Sequence, residues 1–387
     1  MNRRAFVVVI DACGAGELPD AADYGDSGAN TLAHLAEAVG GLQLPALSSL
    51  GLGNIIGLEG VPAAEHPALH GRLHPLGPGK DSTTGHWELM GVSAASAPPT
   101  FPDGIPEAVL VLVQEAFGAR SICNRAYDGV AAIEYFGAEH LASSRPILYT
   151  SQDSIIQLAA HTAILSEEDL YDACLRLRAA LSGPDAVRRV IARPFEGEPG
   201  AFERTHGRRD YTLPPPSASH LTVLARAGVE LHGVGKVNAL FDDETFNVEH
   251  AGATNEEAID SLTRLIAGLD AGFVFANLIE TDQRYGHRHD ARGFHEALKR
   301  IDAALAGWLD VLGEGDLLII TADHGCDPAA PHTDHTREHA PLLARFRGHG
   351  GRRHDGPMAD VGASVLDWLA AVAEPALPGR SFIAGDA

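Results

Sequence analysis

Three short apolar runs, far apart along the chain, each lead into an acidic residue. Phe6-Val7-Val8-Val9-Ile10 ends at Asp11, Phe273 to Leu278 leads to Asp282, and Leu317-Leu318-Ile319-Ile320 leads to Asp323-His324. Continuous runs of this kind read as strands buried on both faces, which requires a cover of helices on each side. The segments between them supply such helices. Thr31 to Val39 and Pro45 to Leu50 read as helical, and Phe294, Leu298, Ile301, Leu305, Trp308 and Leu312 fall on one face of a longer helix. The alternation predicts an α/β fold with a mostly parallel sheet flanked by helices. Parallel strands bring their C-terminal ends to one edge, where open α/β sheets bind ligands. Asp11, Asp282, Asp323 and His324 are therefore expected at one site.

Composition shifts in the middle of the chain. Ala94 to Asp103 is rich in Ala, Ser and Pro and reads as a linker, and Leu213-Pro214-Pro215-Pro216 reads as a second hinge. Between them lie separate strand-like runs, Pro146 to Tyr149 and Val190-Ile191-Ala192. The expected organisation is a core split into residues 1–97 and 217–387, with an inserted domain over 98–216.

Several function classes can be set aside. Acidic residues number 52 against 29 basic, a net charge of −23, in a chain of 387 residues. That balance disfavours nucleic acid and anionic membranes as partners. It leaves a phosphorylated substrate open, because a bound divalent cation reverses the local sign. No apolar run approaches the roughly 18 residues needed to span a bilayer. The start, Met1-Asn2-Arg3-Arg4 followed by Ala5 to Ile10, superficially resembles a signal peptide, but Asp11 ends the run and no cleavage motif follows, so it reads as the first core strand. Gly14-Ala15-Gly16-Glu17-Leu18-Pro19 opens like a dinucleotide fingerprint and fails at Pro19. The four cysteines, Cys13, Cys123, Cys174 and Cys326, form no C-x-x-C pair, and the expected setting is a reduced cytoplasm.

Taken singly, an Asp at a strand end reads as a helix cap and a lone His as a core or surface residue. Taken together, Asp11, Asp282 with His287, Asp323 with His324, and His335 in the loop Thr333 to Arg337 supply three carboxylates and three imidazoles. That is enough for two cations, and such a donor set suits Mn²⁺, Mg²⁺ or Zn²⁺. Paired cations form a clamp for displacement at phosphorus. A second element is the glycine-punctuated segment Gly79-Lys80-Asp81-Ser82-Thr83-Thr84-Gly85-His86-Trp87-Glu88. Gly77 to Gly85 reads as a loop and Trp87 to Met90 as the opening of a helix. Near two cations, one of the three hydroxyls would be activated to carry a phosphoryl group. Without the cations, Ser82 or Thr83 reads as a helix cap.

The sequence resembles the prokaryotic phosphopentomutases of the alkaline phosphatase superfamily. The resemblance rests on Val9-Ile10-Asp11, Lys80 to Glu88, Asp282-x4-His287, Thr321-Ala322-Asp323-His324-Gly325 and Thr333 to Glu338, in order and spacing over nearly the whole chain. It implies an alkaline-phosphatase-like core and a cap domain over the sugar. It implies Thr84 as the phosphorylated residue, one Mn²⁺ on Asp11, Asp323 and His324, and another on Asp282, His287 and His335. Tyr149 to Ser154, Arg193-Pro194-Phe195 and Arg208 to Tyr211 resemble the family's substrate segments, which implies Ser151, Asp153, Arg193 and Arg208 as substrate contacts. The implied activity interconverts (deoxy)ribose 1-phosphate and 5-phosphate through a sugar 1,5-bisphosphate, which also acts as activator. A metal-dependent phosphatase or phosphodiesterase on the same core is the alternative. Asn124 to Val130 departs from the family's pattern, and Cys13 and Cys326 each lie within three residues of an implied ligand. They read as small packing residues, or as groups that make the site oxidation-sensitive or tolerant of softer metals. The sequence does not determine an oligomeric state; a monomer is the expectation.

Overall fold

The computed structural model describes residues 3–151, 154–241, 245–347, 350–370 and 376–383. The chain divides into two compact units, residues 1–96 with 215–387, and residues 97–214.

The first unit is built on an eight-stranded sheet. Its order is Val248–His250, Leu231–Val234, Gly272–Leu278, Arg4–Ile10, Asp316–Thr321, Ala340–Arg345, Leu69–His74 and Gly356–Pro357. The first five of these strands run parallel. Ala340–Arg345 is antiparallel to both its neighbours. All residues of Gly272–Leu278 and Asp316–Thr321 are buried, as expected for strands covered on both faces. The helix Ala291–Val311 buries Phe294, Leu298, Ile301, Leu305 and Trp308, and Asp290 caps its start by accepting a hydrogen bond from Gly293 N–H. Thr31–Val39 and Pro45–Leu50 are helical, the first ending on Gly40 in the left-handed region. Arg4–Ile10 pairs in register with Gly272–Leu278 and with Asp316–Thr321, so Ile10 lies beside Leu278 and Val9 beside Thr321. The three expected strands therefore end at one edge.

The helix expected to open at Trp87 instead spans Ser82–Leu89. Asp81 is its cap, accepting from Thr84 N–H at 3.1 Å, a role expected of Ser82 or Thr83. Gly85 is required here. A Cβ at this position would lie 2.3 Å from the Asp323 carbonyl oxygen, so only glycine lets the helix start against that strand end.

The second unit carries a six-stranded sheet. Its path runs Ile122–Ala126, Ile147–Thr150, Ile155–His161, Arg189–Glu198 and Ala201–Arg204, with Arg209–Thr212 also paired to Arg189–Glu198. Its core includes Leu148, Ile156, Leu158, Val190 and Ala192 against Leu170, Cys174 and Leu177. The unusual segment 124–130 has structural work here. The strand is bulged between Cys123 and Arg125, Asn124 exchanges two hydrogen bonds with the Ile105 backbone, and Asp128 caps the helix Gly129–Ser143.

Candidate active site

Asp11 follows the first strand directly, and the chain then turns sharply. Ala12 sits at φ 64°, a left-handed conformation costly for a residue with a side chain, and its N–H reaches Asp323 Oδ1 at 3.2 Å. Asp282 lies in a single π-helical turn, Thr281–Tyr285, and His287 in the 3₁₀ turn that follows. Wide turns of this kind recur at functional sites.

These elements assemble two donor sets. In the first, His324 Nε2 lies 3.4 Å from Asp11 Oδ1 and 3.3 Å from Asp323 Oδ2. In the second, Asp282 Oδ1 lies 3.4 Å from His287 Nε2 and 3.3 Å from His335 Nε2, and the two Nε2 atoms are 3.2 Å apart. His324 and His335 stack with centroids 3.8 Å apart, linking the sets. All six expected ligands are thus in one cluster.

The cluster fits divalent cations on its own chemistry. Asp11 Oδ1, Asp282 Oδ1 and Asp323 Oδ2 are buried and lack a well-formed hydrogen bond. Leaving such an oxygen unpaired costs about 1–3 kcal/mol, and more when it is charged, unless a cation takes the place of the donor. Donors about 3.2–3.4 Å apart match corners of a tetrahedron with bonds of about 2.0–2.1 Å, the length of zinc–imidazole bonds. The imidazoles are oriented for the task. His287 Nδ1–H donates to Thr333 O at 2.7 Å and His324 Nδ1–H to Gly325 O at 3.0 Å, which turns both Nε2 lone pairs inward.

Electrostatics agree. Burial, with the adjacent charge of Asp323, pushes the Asp11 carboxyl up to about 7. Asp323 is buried too, but His324 and His86 outweigh that cost and hold its carboxyl low. Burial pushes His324 down to about 4, against the pull of Asp323, so the ring is neutral and its lone pair is available. For Asp282, His335 and His287 overcome the cost of burial and keep the carboxylate ionised.

The hydroxyl segment departs from expectation. Ser82 Oγ lies 3.0 Å from His324 Nε2 and 2.6 Å from Lys236 Nζ. Thr84, the residue expected to be phosphorylated, turns its hydroxyl to Asp81 and donates to Oδ2 at 2.6 Å. The hydroxyl beside the donor sets is that of Ser82. Three other residues completing the cluster were not singled out from sequence. Lys236 Nζ donates to Asp11 Oδ2 at 2.9 Å, from a short turn after Leu231–Val234. Asn277 Nδ2 reaches both Asp11 Oδ2 at 3.0 Å and His86 Nε2 at 3.2 Å. His86 Nδ1 lies 2.8 Å from Ser82 O and 3.2 Å from Asp323 Oδ2. Asn277 had a readable signal, an amide inside an otherwise apolar strand. Lys236 had none, because it lies in a short turn and the strand before it is four residues long and contains a glycine.

Of the expected substrate contacts, Arg193 and Arg208 come together within the second unit, since Ala192 pairs with Arg209 across adjacent strands. Arg193 Nε and Nη2 donate to Gln157 Oε1, and Arg208 grips both oxygens of Asp210 at 2.7 and 2.8 Å. Burial and the charge of Arg208 push Arg193 down to about 10. Ser151 opens the loop after Ile147–Thr150. Asp153 lies outside the described residues.

Comparison with known proteins gives a consistent picture. Residues 3–372 match the model of the Metalloenzyme superfamily. The chain is 45% identical over 388 residues to a phosphopentomutase of Anaeromyxobacter dehalogenans, covering 99% of each chain. It is 44% identical to the phosphopentomutase of Carboxydothermus hydrogenoformans over 88% of each. Among solved structures, Leishmania mexicana phosphoglycerate mutase aligns with a TM-score of 0.50 at 14% identity, covering 98% of this chain and 97% of the other, a likeness of fold.

Proposed function

Because the chain belongs to the phosphopentomutase family, a group of isomerases within the Metalloenzyme superfamily, we propose that it interconverts the 1- and 5-phosphates of ribose and deoxyribose through a phosphoenzyme formed on Ser82. The observation that carries the reading is the placement of Ser82 Oγ, 3.0 Å from His324 Nε2 and 2.6 Å from Lys236 Nζ, in a cluster with three buried carboxylate oxygens that lack a well-formed hydrogen bond.

Asp11, Asp323 and His324 would hold one divalent cation and Asp282, His287 and His335 the other, with Mn²⁺ suited to the oxygen-rich first set. Bound there, the cations supply Lewis-acid charge that favours the serine alkoxide and neutralises the transferring phosphoryl group. The remaining steps belong to the chain. Asn277 and Lys236 hold Asp11, and His86 and Ala12 N–H hold Asp323, so neither carboxylate swings when charge develops. The phosphoserine gives its phosphoryl group to the free hydroxyl of a pentose phosphate. The P–O bond to Ser82 breaks and a new P–O bond forms on the sugar oxygen, the sugar hydroxyl gives up its proton and Ser82 Oγ takes one up, and the product is a 1,5-bisphosphate. Ser82 Oγ then attacks the other phosphorus, the sugar oxygen leaves and takes up a proton, and the isomeric monophosphate is released. Lys236 stands beside Ser82 Oγ to balance the charge of the phosphoryl group in both directions. A sugar bisphosphate is needed in catalytic amount to prime Ser82. Within the second unit, Arg193 and Arg208 are proposed as contacts for a substrate phosphate, being cationic donors suited to that anion.

No described helix is long and apolar enough to cross a membrane. Four sparse, unpaired thiols support a reducing setting, the cytoplasm.

The test combines a ribose phosphate isomerisation assay with mass spectrometry of the bisphosphate-primed protein. The expected result is isomerisation together with a phosphopeptide modified at Ser82. Release of free phosphate without isomerisation would overturn the reading in favour of a hydrolase.

A further inference from the structure

Cys326 stands two residues after His324 and belongs to neither cation set. The residue is 1% exposed. Sγ, a carboxylate oxygen of Asp282 and a ring nitrogen of His287 all lie within 4.8 Å of one another. Sγ engages the Asp334 carbonyl only weakly, at 3.8 Å. Gly286 is what admits it. A Cβ there would lie 3.0 Å from Sγ and 3.2 Å from the Cys326 Cβ, so any larger residue at 286 would push the loop carrying His287 and the thiol apart by a few tenths of an ångström. Independently of the cysteine, Asp282 Oδ1 is buried and lacks a well-formed hydrogen bond at the same spot.

We propose that Cys326 is a ligand of the second cation set, adding a thiolate to Asp282 and His287 and making that position selective for soft divalent ions such as Zn²⁺, Co²⁺ or Cd²⁺ over Mn²⁺. This rests on the two-cation reading above. Donors on one tetrahedral ion with bonds of about 2.0–2.3 Å stand about 3.3–3.6 Å apart, a separation that atoms already within 4.8 Å of one another reach by side-chain adjustment. Thiolate favours Zn²⁺ and its softer neighbours, whereas carboxylate and water suit Mn²⁺. On binding, the S–H bond breaks, an S–metal bond forms and the proton leaves to solvent. The two sets therefore differ in character. Asp11, Asp323 and His324 form a hard set. Asp282, His287 and His335 with Cys326 form a mixed set that a soft ion fills first.

The experiment uses the full chain, stripped of metal and titrated with Co²⁺ and with Cd²⁺. Wild type and the control Cys174→Ser are expected to show a thiolate-to-metal charge-transfer band in the near ultraviolet. Cys326→Ser and Cys326→Ala are expected to lose that band while keeping the visible cobalt bands. Their Cd²⁺ dissociation constant should rise at least about tenfold, a scale that even an outer-sphere partner reaches. Their Mn²⁺ binding should be unchanged, which also reports that they fold. A charge-transfer band that persists in both variants overturns the proposal. So does wild type with visible cobalt bands and no charge-transfer band. If wild type takes up no cobalt at all, the visible bands are missing too, and that outcome sinks the two-cation reading along with the thiol.

Discussion

Two hydroxyls two residues apart on one short helix are expected to behave in opposite ways when removed. Ser82→Ala takes away the oxygen that lies 2.6 Å from Lys236 Nζ and 3.0 Å from His324 Nε2. If Ser82 carries the phosphoryl group, turnover should fall at least about 10⁴-fold, the scale on which losing a nucleophile acts. That corresponds to about 5.5 kcal/mol of lost transition-state stabilisation. Little stability should be lost, because Lys236 keeps Asp11 at 2.9 Å. Thr84→Val keeps the shape of the side chain and removes only its bond to Asp81 Oδ2, at 2.6 Å. A hydrogen bond to a charged group contributes about 1.5–3 kcal/mol, and Asp81 retains its cap on Thr84 N–H, so the lower end applies. Thr84→Val should therefore melt earlier yet keep turnover within a few-fold of wild type. The assay follows ribose 1-phosphate to ribose 5-phosphate with a catalytic amount of bisphosphate, alongside urea unfolding of each variant. An active Ser82→Ala protein, or a folded but inactive Thr84→Val protein, would refute the assignment of the phosphoryl group to Ser82.

Asp282→Asn keeps the shape of the second set but removes the charge 3.4 and 3.3 Å from His287 and His335. Elemental analysis should show metal content falling from about two ions per chain to about one. Within the second unit, Arg193→Met should raise KM for the pentose phosphate with little change in kcat, and an unchanged KM would argue against a phosphate contact. A pH effect on stability should arise at His140. Its Nδ1–H donates to Arg145 O at 2.7 Å, and its Nε2 accepts from His161 N–H at 2.9 Å, so the neutral ring uses both nitrogens. Burial holds its pKa below the 6.5 of an unfolded chain. As pH falls through 6.5 the unfolded chain takes up the proton first. The contribution is therefore complete above that pH and is lost as pH drops through the folded value. Urea unfolding between about pH 7.5 and 5 should show this slope in wild type and a flatter one in His140→Gln. Equal slopes would refute it.

The ends of the three central strands were legible because β-branched apolar runs are a local signal, and so was the helix Ala291–Val311, whose buried face repeats at helical spacing. The helix Ser82–Leu89 was not. All eight of its residues are buried, so no polar face alternates with an apolar one, and the start read as a loop. Ser82 and Thr84 were indistinguishable as hydroxyls in one motif. Their difference is rotational. Two residues along an α-helix turn the side chain by about 200°, so Ser82 and Thr84 point to opposite sides, while Ser82 and His86, four apart, share the side facing Asp323. Once the segment is known to be helical from Ser82, only one of the two can face the strand ends.

The sequence by itself determined which donor types this protein carries and that they lie at strand ends, because strand-forming runs and parallel pairing are encoded residue by residue. Only the tertiary structure decided which atoms meet. Lys236 reaches Asp11 across 225 positions of chain, and Ser82 reaches His324 across 242. Contacts at such separations depend on how helices and turns rotate against the packed sheet. That rotation is a property of packing, so no local pattern of residues carries it.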